Sequence, residues 1–466
     1  AGPEEALAPP ARIATLSVVL PCANESEFVW KTIRSVFDAT PDEQLKEIIV
    51  VDDASDPPIH SDVATEFLTY YRARVIRHDR PEGLIRSKKD GGDAATGDAI
   101  VFLDCHVKPM ENWTGPILAN LQENPRRVVV PSVTVLDPDT WEEVSPYGGG
   151  SKMCLTWNAD FTWCNQYPGP YVPIMSGGLL ALTQFWWRKT GGYDDQMLSW
   201  GGENLDQSLR TWLCGGEIMV AEGSRVAHMW RDPRKPHTMM KYVIPSDHTR
   251  RNRLRAATAW LGAWAQKVRS FQEFEAFGPD GELSVGSLDN IERDRAGLGC
   301  GDFASYLDRF RDLYLDTGML PERVFHLRKR GSQLCLHHEK VWDESMGLKL
   351  APCSRRDERQ RFHGAAAKDG GGCCSGLKVW DLDECVNMFD VGSTVHAFQC
   401  ELFGGAPSQR VALTAAGALR SDIGGCAVPA AAKGPVASLS ASPPARPLDL
   451  APLPGGGLQI AAAGLC

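Results

Sequence analysis

Residues 46–53 read KEIIVVDD and residues 99–104 read AIVFLD, two short apolar runs that each close on an acid. A run of β-branched and aliphatic residues without polar alternation is the pattern of a strand buried on both faces. IATLSVVLP (13–21) precedes them with the same texture, and RVIRH (74–78) and RVVVPSVTVL (127–136) complete the set. Helical spacing fills the gaps. Phe28, Val29, Ile33, Val36 and Phe37 recur on one face after Asn24-Glu-Ser-Glu27, which resembles a capping box. Residues 61–72, 83–95 and 113–123 suit further helices. This alternation predicts a mostly parallel sheet with helices on both faces. Ligands of such sheets bind beyond the carboxyl ends of the strands, where Asp52, Asp53 and Asp104 stand.

Outward from this half the texture changes twice. Residues 138–200 are rich in Trp, Gly and Pro and predict loops and short elements shaping a cleft. Residues 250–275 and 300–316 return to helical spacing. Beyond about 322, short Cys-bearing strands recur: QLCL (333–336), ECVNMF (384–389) and a fainter GGCAV (424–428). The first two are followed by a second Cys and a Gln-x-apolar triplet, at Gln360-Arg-Phe and Gln409-Arg-Val. The third runs from Cys426 through a Pro/Ala/Gly-rich insertion to Gln459-Ile-Ala and Cys466. A repeat of this size implies stacked or symmetric all-β units. Residues 429–456 are low-complexity.

Composition narrows the function. The 466 residues are 43% hydrophobic and 23% charged, enough for two or three domains with a sizeable core. Whole-chain disorder is excluded. Lys+Arg total 49 against 59 Asp+Glu, and the net charge of −10 argues against a general grip on nucleic acid. No apolar run reaches the ~18 residues that span a bilayer. The opening AGPEEALAPP lacks an initiator Met, a basic region and an apolar stretch, so it reads as the start of a trimmed or processed fragment. Fourteen cysteines suit an oxidising compartment, and the lack of a CxxC pair removes a zinc-ribbon reading. Asn24-Glu-Ser and Asn112-Trp-Thr are N-glycosylation triplets.

Four constellations could carry chemistry. Asp104-Cys-His106 closes a buried strand, and residues i and i+2 of a strand share a face. A carboxylate and an imidazole pointing one way suit a divalent metal with mixed ligands, such as Mn²⁺; the plain alternative is a polar strand end. Asp52 and Asp53 suit hydrogen bonds to a base or ribose, or else formation of the turn through Ala-Ser-Asp-Pro-Pro. In Trp200-Gly-Gly-Glu203-Asn-Leu-Asp206 the Gly pair permits unusual backbone angles. Its two acids share a face if a helix starts there, or serve only as favourable charges at a helix N-terminus. His228 lies in RVAHMWR, with Arg231, Arg234 and Lys235 close behind. A basic loop beside a metal suits a diphosphate; the alternative is a solvated loop.

Together these motifs resemble the polypeptide N-acetylgalactosaminyltransferases, which start mucin-type O-glycans. The order VVDD, EGLIRSK, FLDCH, MSGGLLAL, WGGENLD and SRVAHMWR carries the resemblance, with NRLRAATAW (252–260) and CGDFASYL (300–307) downstream. The Cys/Gln repeats look like the family's ricin-type β-trefoil lectin domain. The resemblance implies an α/β, Rossmann-like nucleotide-sugar transferase domain of GT-A type over 13–316. A tail over 1–12 would precede it, and a linker over 317–321 would lead to an all-β trefoil over 322–466. It implies Mn²⁺-dependent, retaining transfer of GalNAc from UDP-GalNAc to Ser or Thr of peptides or glycopeptides. Asp104, His106 and His228 would bind Mn²⁺. Asp52 or Asp53 would contact uridine, with Arg86 near the nucleotide. Glu203 and Asn204 would line the sugar pocket, and Gly177 and Gly178 would shape its wall. Arg231 and the loop to about Lys241 would close over the diphosphate, and Trp200 would belong to a gating segment. Cys214–Cys300, Cys335–Cys353, Cys385–Cys400 and Cys426–Cys466 would be disulfides. The family's members are Golgi proteins with an N-terminal anchor, and this chain would be the lumenal part.

The chain departs from the family in places. Pro21-Cys-Ala23-Asn24-Glu25 stands where a Thr/Ser-Phe-His-Asn-Glu segment is usual, so two uridine contacts are lost or replaced. Gly223 stands where a further disulfide would need Cys, and Pro236-His237-Thr238 where a Tyr is usual. His337, Asn387 and Val428 replace the Asp of sugar-binding trefoil repeats, so a trefoil that is mainly structural is expected. A catalytically impaired relative acting as a binding or scaffold protein, or a transferase for another UDP-sugar, is the alternative.

Overall fold

A computed structural model describes residues 9–316 apart from 26, 60–64, 146–149, 240–241, 270 and 278–282. Beyond 316 it describes 319–320, 324–329, 332–342, 345–364, 376–380, 384–388, 395–399, 406–413, 419–423, 427–429, 437–439, 448–452 and 458–462. The chain divides into two compact units, 1–155 with 159–306, and 156–158 with 307–466.

The first unit begins as the apolar runs require. β1 (Leu16–Cys22) is buried at all seven positions, as a central strand must be. α1 (Glu27–Ala39), β2 (Leu45–Asp52), α2 (Thr65–Tyr70), β3 (Ala73–Arg77), α3 (Leu84–Ala94) and β4 (Ala99–Phe102) follow. β1 pairs in parallel with β2 and β4, and β2 with β3. β5 (Val107–Pro109), α4 (Thr114–Glu123) and β6 (Arg127–Leu136) come next. Val18, Leu20, Val29, Ile33, Ile48, Val50, Ile117 and Leu121 join one buried core. On the other side of the sheet, Phe102 packs on Trp187 and Tyr193.

The stretch 138–200 holds more order than expected. β7 (Glu143–Ser145) extends the sheet beside β6. β8 (Met153–Leu155) and β9 (Phe161–Trp163) form a hairpin closed by a Cys154–Cys164 disulfide. β10 (Leu180–Thr183) then enters the main sheet between β4 and β6, antiparallel to both. The sheet is therefore mixed. The reason is the route: β6 leaves at the carboxyl edge, and the chain returns from that same edge. α5 (Gln184–Lys189), α6 (Glu203–Leu213) and β11 (Glu217–His228) follow. β11 pairs in parallel with β6, with a register shift between Ala221 and Arg225, and antiparallel with β5. The helical stretch at 250–275 resolves into α7 (Ser246–Trp260) and α8 (Ala265–Arg269). Cys214, at the end of α6, is bonded to Cys300.

One expected cap is replaced. Asn24 Oδ1 accepts from Asp56 N at 2.9 Å, and Asn24 N donates to Ser55 Oγ at 2.9 Å. Asn24 thus braces the turn after β2 rather than starting α1.

The second unit is β-rich. One sheet runs through β12 (Val324–Lys329), β13 (Leu334–Trp342), β14 (Ser345–Pro352), β15 (Arg361–Gly364), β16 (Leu377–Val379), β17 (Glu384–Asn387) and β18 (His396–Gln399), with Leu448–Pro452 and Leu458–Ala462 beside β12. Leu327, Leu336, Leu348, Phe362, Val386 and Ala397 share its core. The Gln-x-apolar triplet acts as a local staple. Gln360 is buried, accepts from Ser354 N and donates to Pro352 O, both at 2.8 Å, while Phe362 enters the core. Cys335 is bonded to Cys353. Cys400, Cys426 and Cys466, and with them the pairings Cys385–Cys400 and Cys426–Cys466, lie outside the described residues.

Candidate functional site

Three strands deliver polar side chains to one edge. The register sets Cys22 of β1 opposite Asp52 of β2, and His228 of β11 opposite Val107 of β5. Asp104, Cys105 and His106 form the tight link between β4 and β5. Cys105 is bonded to Cys22, so this link is covalently tied to the end of β1.

Asp104, His106 and His228 converge there, and their ligand atoms all lie within 4.8 Å of one another. Asp104 Oδ2 is 3.1 Å from His228 Nε2, and the two imidazole rings are 4.9 Å apart. Burial opposes ionisation of Asp104, but the hydrogen bond and charge of His228, aided by His106 and Lys88, hold it well below the usual carboxylate range. Burial pushes His228 down, which favours the neutral imidazole that binds metals. The buried carboxylate of Glu25 lies 3.2 Å from His106 Nδ1, which Arg231 also approaches at 3.4 Å. A carboxylate behind a histidine is the usual support of a metal-binding imidazole. Burial works against Glu25, yet His106 and Arg231 hold it ionised below its ordinary value. A mixed oxygen–nitrogen set of this kind fits Mn²⁺.

The sugar-pocket candidates adjoin this cluster. Gly201 and Gly202 both have φ near the left-handed range, at +88° and +86°. A Cβ on Gly202 would lie 2.8 Å from the Arg253 and Asn252 backbones, so only Gly lets α6 start here. Glu203 and Asn204 are thereby buried at the first turn. Asn204 Nδ2 donates to Met175 O at 3.1 Å. Glu203 Oε2 is buried with no hydrogen-bond partner, and Oε1 lies 3.9 Å from Lys88 Nζ. Lys88, fully buried, donates to Gly177 O at 2.7 Å. A Cβ on Gly178 would lie 2.8 Å from Asp104 Oδ2, and one on Gly177 2.9 Å from Asn204 Cβ. The two glycines thus keep the wall thin between the cluster and α6.

The remaining sites divide. Asp52 is fully buried and accepts from Ser55 N and Ile59 N while paired with Arg77, so it serves the turn. Asp53 accepts from Glu82 N and Gly83 N at 2.7 and 2.8 Å, and His78 approaches it. Arg86 is half-exposed and donates to Asp90. Arg231 donates to Glu25 at 2.7 Å and to Thr238 O at 2.6 Å, which folds its loop back on the cluster. Trp200 is exposed; its segment is tied to α7 by Asn252, which donates to Leu198 O and Gly201 O. Asp206, the second acid of the WGGEN stretch, is buried against Arg210 and Trp260 and belongs to the core.

Sequence reasoning missed three features. Glu25 was seen only as part of a departed motif. Lys88 was hidden in a helical segment. Trp230 and Trp163 are both about 40% exposed, at 43% and 40%, with rings 6.3 Å apart, and Trp230 lies 4.6 Å from the His228 ring. The two rings form a partly exposed aromatic pair beside the polar cluster. The signal was present in RVAHMWR, where Trp230 is two residues from His228.

The chain is similar to known glycosyltransferases. The family "Glycosyl transferase family 2" matches residues 17–178, and "N-terminal domain of galactosyltransferase" matches 164–232. Human polypeptide N-acetylgalactosaminyltransferase 14 is 30% identical over 361 residues, 73% of this chain and 61% of that protein. The inactive polypeptide N-acetylgalactosaminyltransferase-like protein 5 of Macaca fascicularis is 34% identical over 64% of this chain and 68% of its own length. The chain spans about half to two thirds of the length of such relatives. A crystal structure of GalNAc-T7 with UDP, GalNAc and Mn²⁺ shares the fold, with a TM-score of 0.61 at 22% identity over 92% of this chain and 80% of that one.

Proposed function

The chain belongs to the polypeptide N-acetylgalactosaminyltransferase family, and from that premise we propose that it transfers GalNAc from UDP-GalNAc to Ser and Thr hydroxyls of polypeptides, with retention and with Mn²⁺. The observation that carries the reading is the convergence of Asp104, His106 and His228 beside the buried Glu203 and Asn204.

Asp104, His106 and His228 would hold Mn²⁺. Bound there, the ion supplies Lewis-acid stabilisation of the charge on a departing diphosphate. Arg231, held by Glu25 and Thr238 O, adds a guanidinium on the same side toward the diphosphate. Asp53 and Arg86 contact the nucleotide. Asn204 and Glu203 accept and orient sugar hydroxyls against Gly177 and Gly178. Lys88 keeps Glu203 from being an isolated buried charge. Trp163 and Trp230 give the acceptor an apolar seat. Trp200 and its loop cover the site. Attack comes from the face the diphosphate leaves: the acceptor oxygen bonds the anomeric carbon, the carbon–phosphate-oxygen bond breaks, and the hydroxyl proton passes to that oxygen.

The catalytic domain would extend over 13–316 and a ricin-type trefoil over 322–466. Residence in the Golgi lumen follows from the family; among the described residues no helix is long and apolar enough to cross a membrane. The reading is tested with a Ser/Thr-rich peptide, a panel of UDP-sugars, and Mn²⁺ or a chelator, read by mass spectrometry. A Mn²⁺-dependent gain of one N-acetylhexosamine from UDP-GalNAc supports it. Absence of product from every donor sinks it and favours the second reading, an impaired relative that binds without transferring. Ala23 and Pro21, which bring neither an imidazole nor a hydroxyl to the nucleotide edge, support that second reading.

A further inference from the structure

We propose that His78 is a positioning residue for the nucleotide: it aims the Asp53 carboxylate and ties it, through Asp90, to Arg86. The inference rests on the reading of Asp53 and Arg86 as nucleotide contacts. His78 follows β3 directly, and its amide donates to Asp52 O at 2.9 Å, so it stands level with the end of β2. Its side chain is 10% exposed. Nδ1 lies 2.8 Å from Asp53 Oδ1 and Nε2 lies 3.1 Å from Asp90 Oδ2. Arg86 Nε donates to that same Asp90 oxygen at 3.0 Å. Each ring nitrogen thus faces one carboxylate, and Arg86, Asp90, His78 and Asp53 form one continuous polar row from α3 to the end of β2.

The count of lone pairs shows what this does. A carboxylate offers about four acceptor sites, two on each oxygen. Oδ1 of Asp53 accepts from Glu82 N at 2.7 Å and from His78, and is filled. Oδ2 accepts from Gly83 N at 2.8 Å and keeps one site. Three donors thus fix the plane of the carboxylate, and a single directed acceptor remains for an N–H or O–H of a nucleoside. Without His78 the carboxylate keeps two backbone bonds from one side, and a second site opens on Oδ1.

The test is UDP binding in the presence of Mn²⁺, by calorimetry, with thermal unfolding of the free protein and donor kinetics alongside. H78A should weaken UDP binding about tenfold, the worth of one charge-assisted bond, and raise the donor KM by a like factor. Its kcat should stay within about twofold, as expected for lost ground-state binding. H78N retains a donor toward Asp53 and should recover most of the affinity. H78F, which keeps the ring volume without a donor, should repeat the loss and replaces H78A if that variant does not fold. A folded H78A or H78F with unchanged UDP affinity overturns the proposal. Lack of UDP binding by the unsubstituted protein overturns the nucleotide reading itself, and this inference with it.

Discussion

Asp104 and His228 pair at 3.1 Å, and each depends on the other for its charge state. Replacing either with Ala removes one of the three proposed ligands and the partner of the other. Asp104→Ala or His228→Ala should lower transfer by roughly a thousandfold, as expected when charge stabilisation is lost at the leaving group. The melting temperature without metal should stay close to that of the unsubstituted protein, and near-normal turnover in either variant would refute the metal assignment. Glu25 acts one step back, through His106 and Arg231. Glu25→Gln should cost about 10–100-fold in Mn²⁺ affinity, the usual range for such supports; manganese titration followed by electron paramagnetic resonance would read it. Asp104 and His106 stood out in the sequence because they follow one apolar run two residues apart, whereas His228 was marked as a ligand only by the family resemblance. Glu25 and Lys88 did not stand out, because a buried charge is recognised by what surrounds it, and the linear sequence does not display that.

At the scale of elements, the strands over 13–136 could be read because a fully buried strand advertises itself by an unbroken apolar run. β10 and β11 could not. β10 is four residues long in a Trp- and Gly-rich stretch, and β11 shifts register between Ala221 and Arg225, which spoils its alternation. The start of α6 shows how one residue fixes an element. Gly202→Ala would require a left-handed Ala and a Cβ 2.8 Å from the backbone of α7. A loss of about 2–4 kcal/mol is expected from strain and overpacking together; urea unfolding would measure it, and an unshifted midpoint would show that α6 tolerates the change. The start of the sheet carries a pH signature. Asp98 is partly buried, which opposes ionisation, but bonds from Ala14 N, Thr15 N and the Thr15 hydroxyl hold it below its ordinary value of 3.8. A depressed carboxyl stabilises fully above its unfolded value and loses that contribution as pH falls through the folded one. The gap in melting temperature between the unsubstituted protein and Asp98→Asn should therefore be constant near neutrality and close in strong acid. A gap that widened in acid would contradict this account.

For the whole molecule, the question is what the β-rich unit contributes. His337, by the family resemblance the counterpart of a sugar-binding Asp, is buried and lies 3.3 Å from Asp357. An imidazole whose Nε2 faces a neighbouring carboxylate does not offer the pair of carboxylate oxygens that would accept sugar hydroxyls. Excess free GalNAc should therefore leave glycopeptide turnover by the full chain unchanged, and marked inhibition confined to glycosylated acceptors would show that a trefoil sugar site operates. Returning to the edge of the first sheet, Cys105 sits between two members of the triad and is bonded to Cys22, eighty-three residues earlier. The site is thus finished by an oxidation and not by folding alone. Where thiols stay reduced, the same sheet can form while Asp104 and His106 ride on an untethered turn. The history of the chain's synthesis, as much as its sequence, then decides whether a metal finds three ligands waiting.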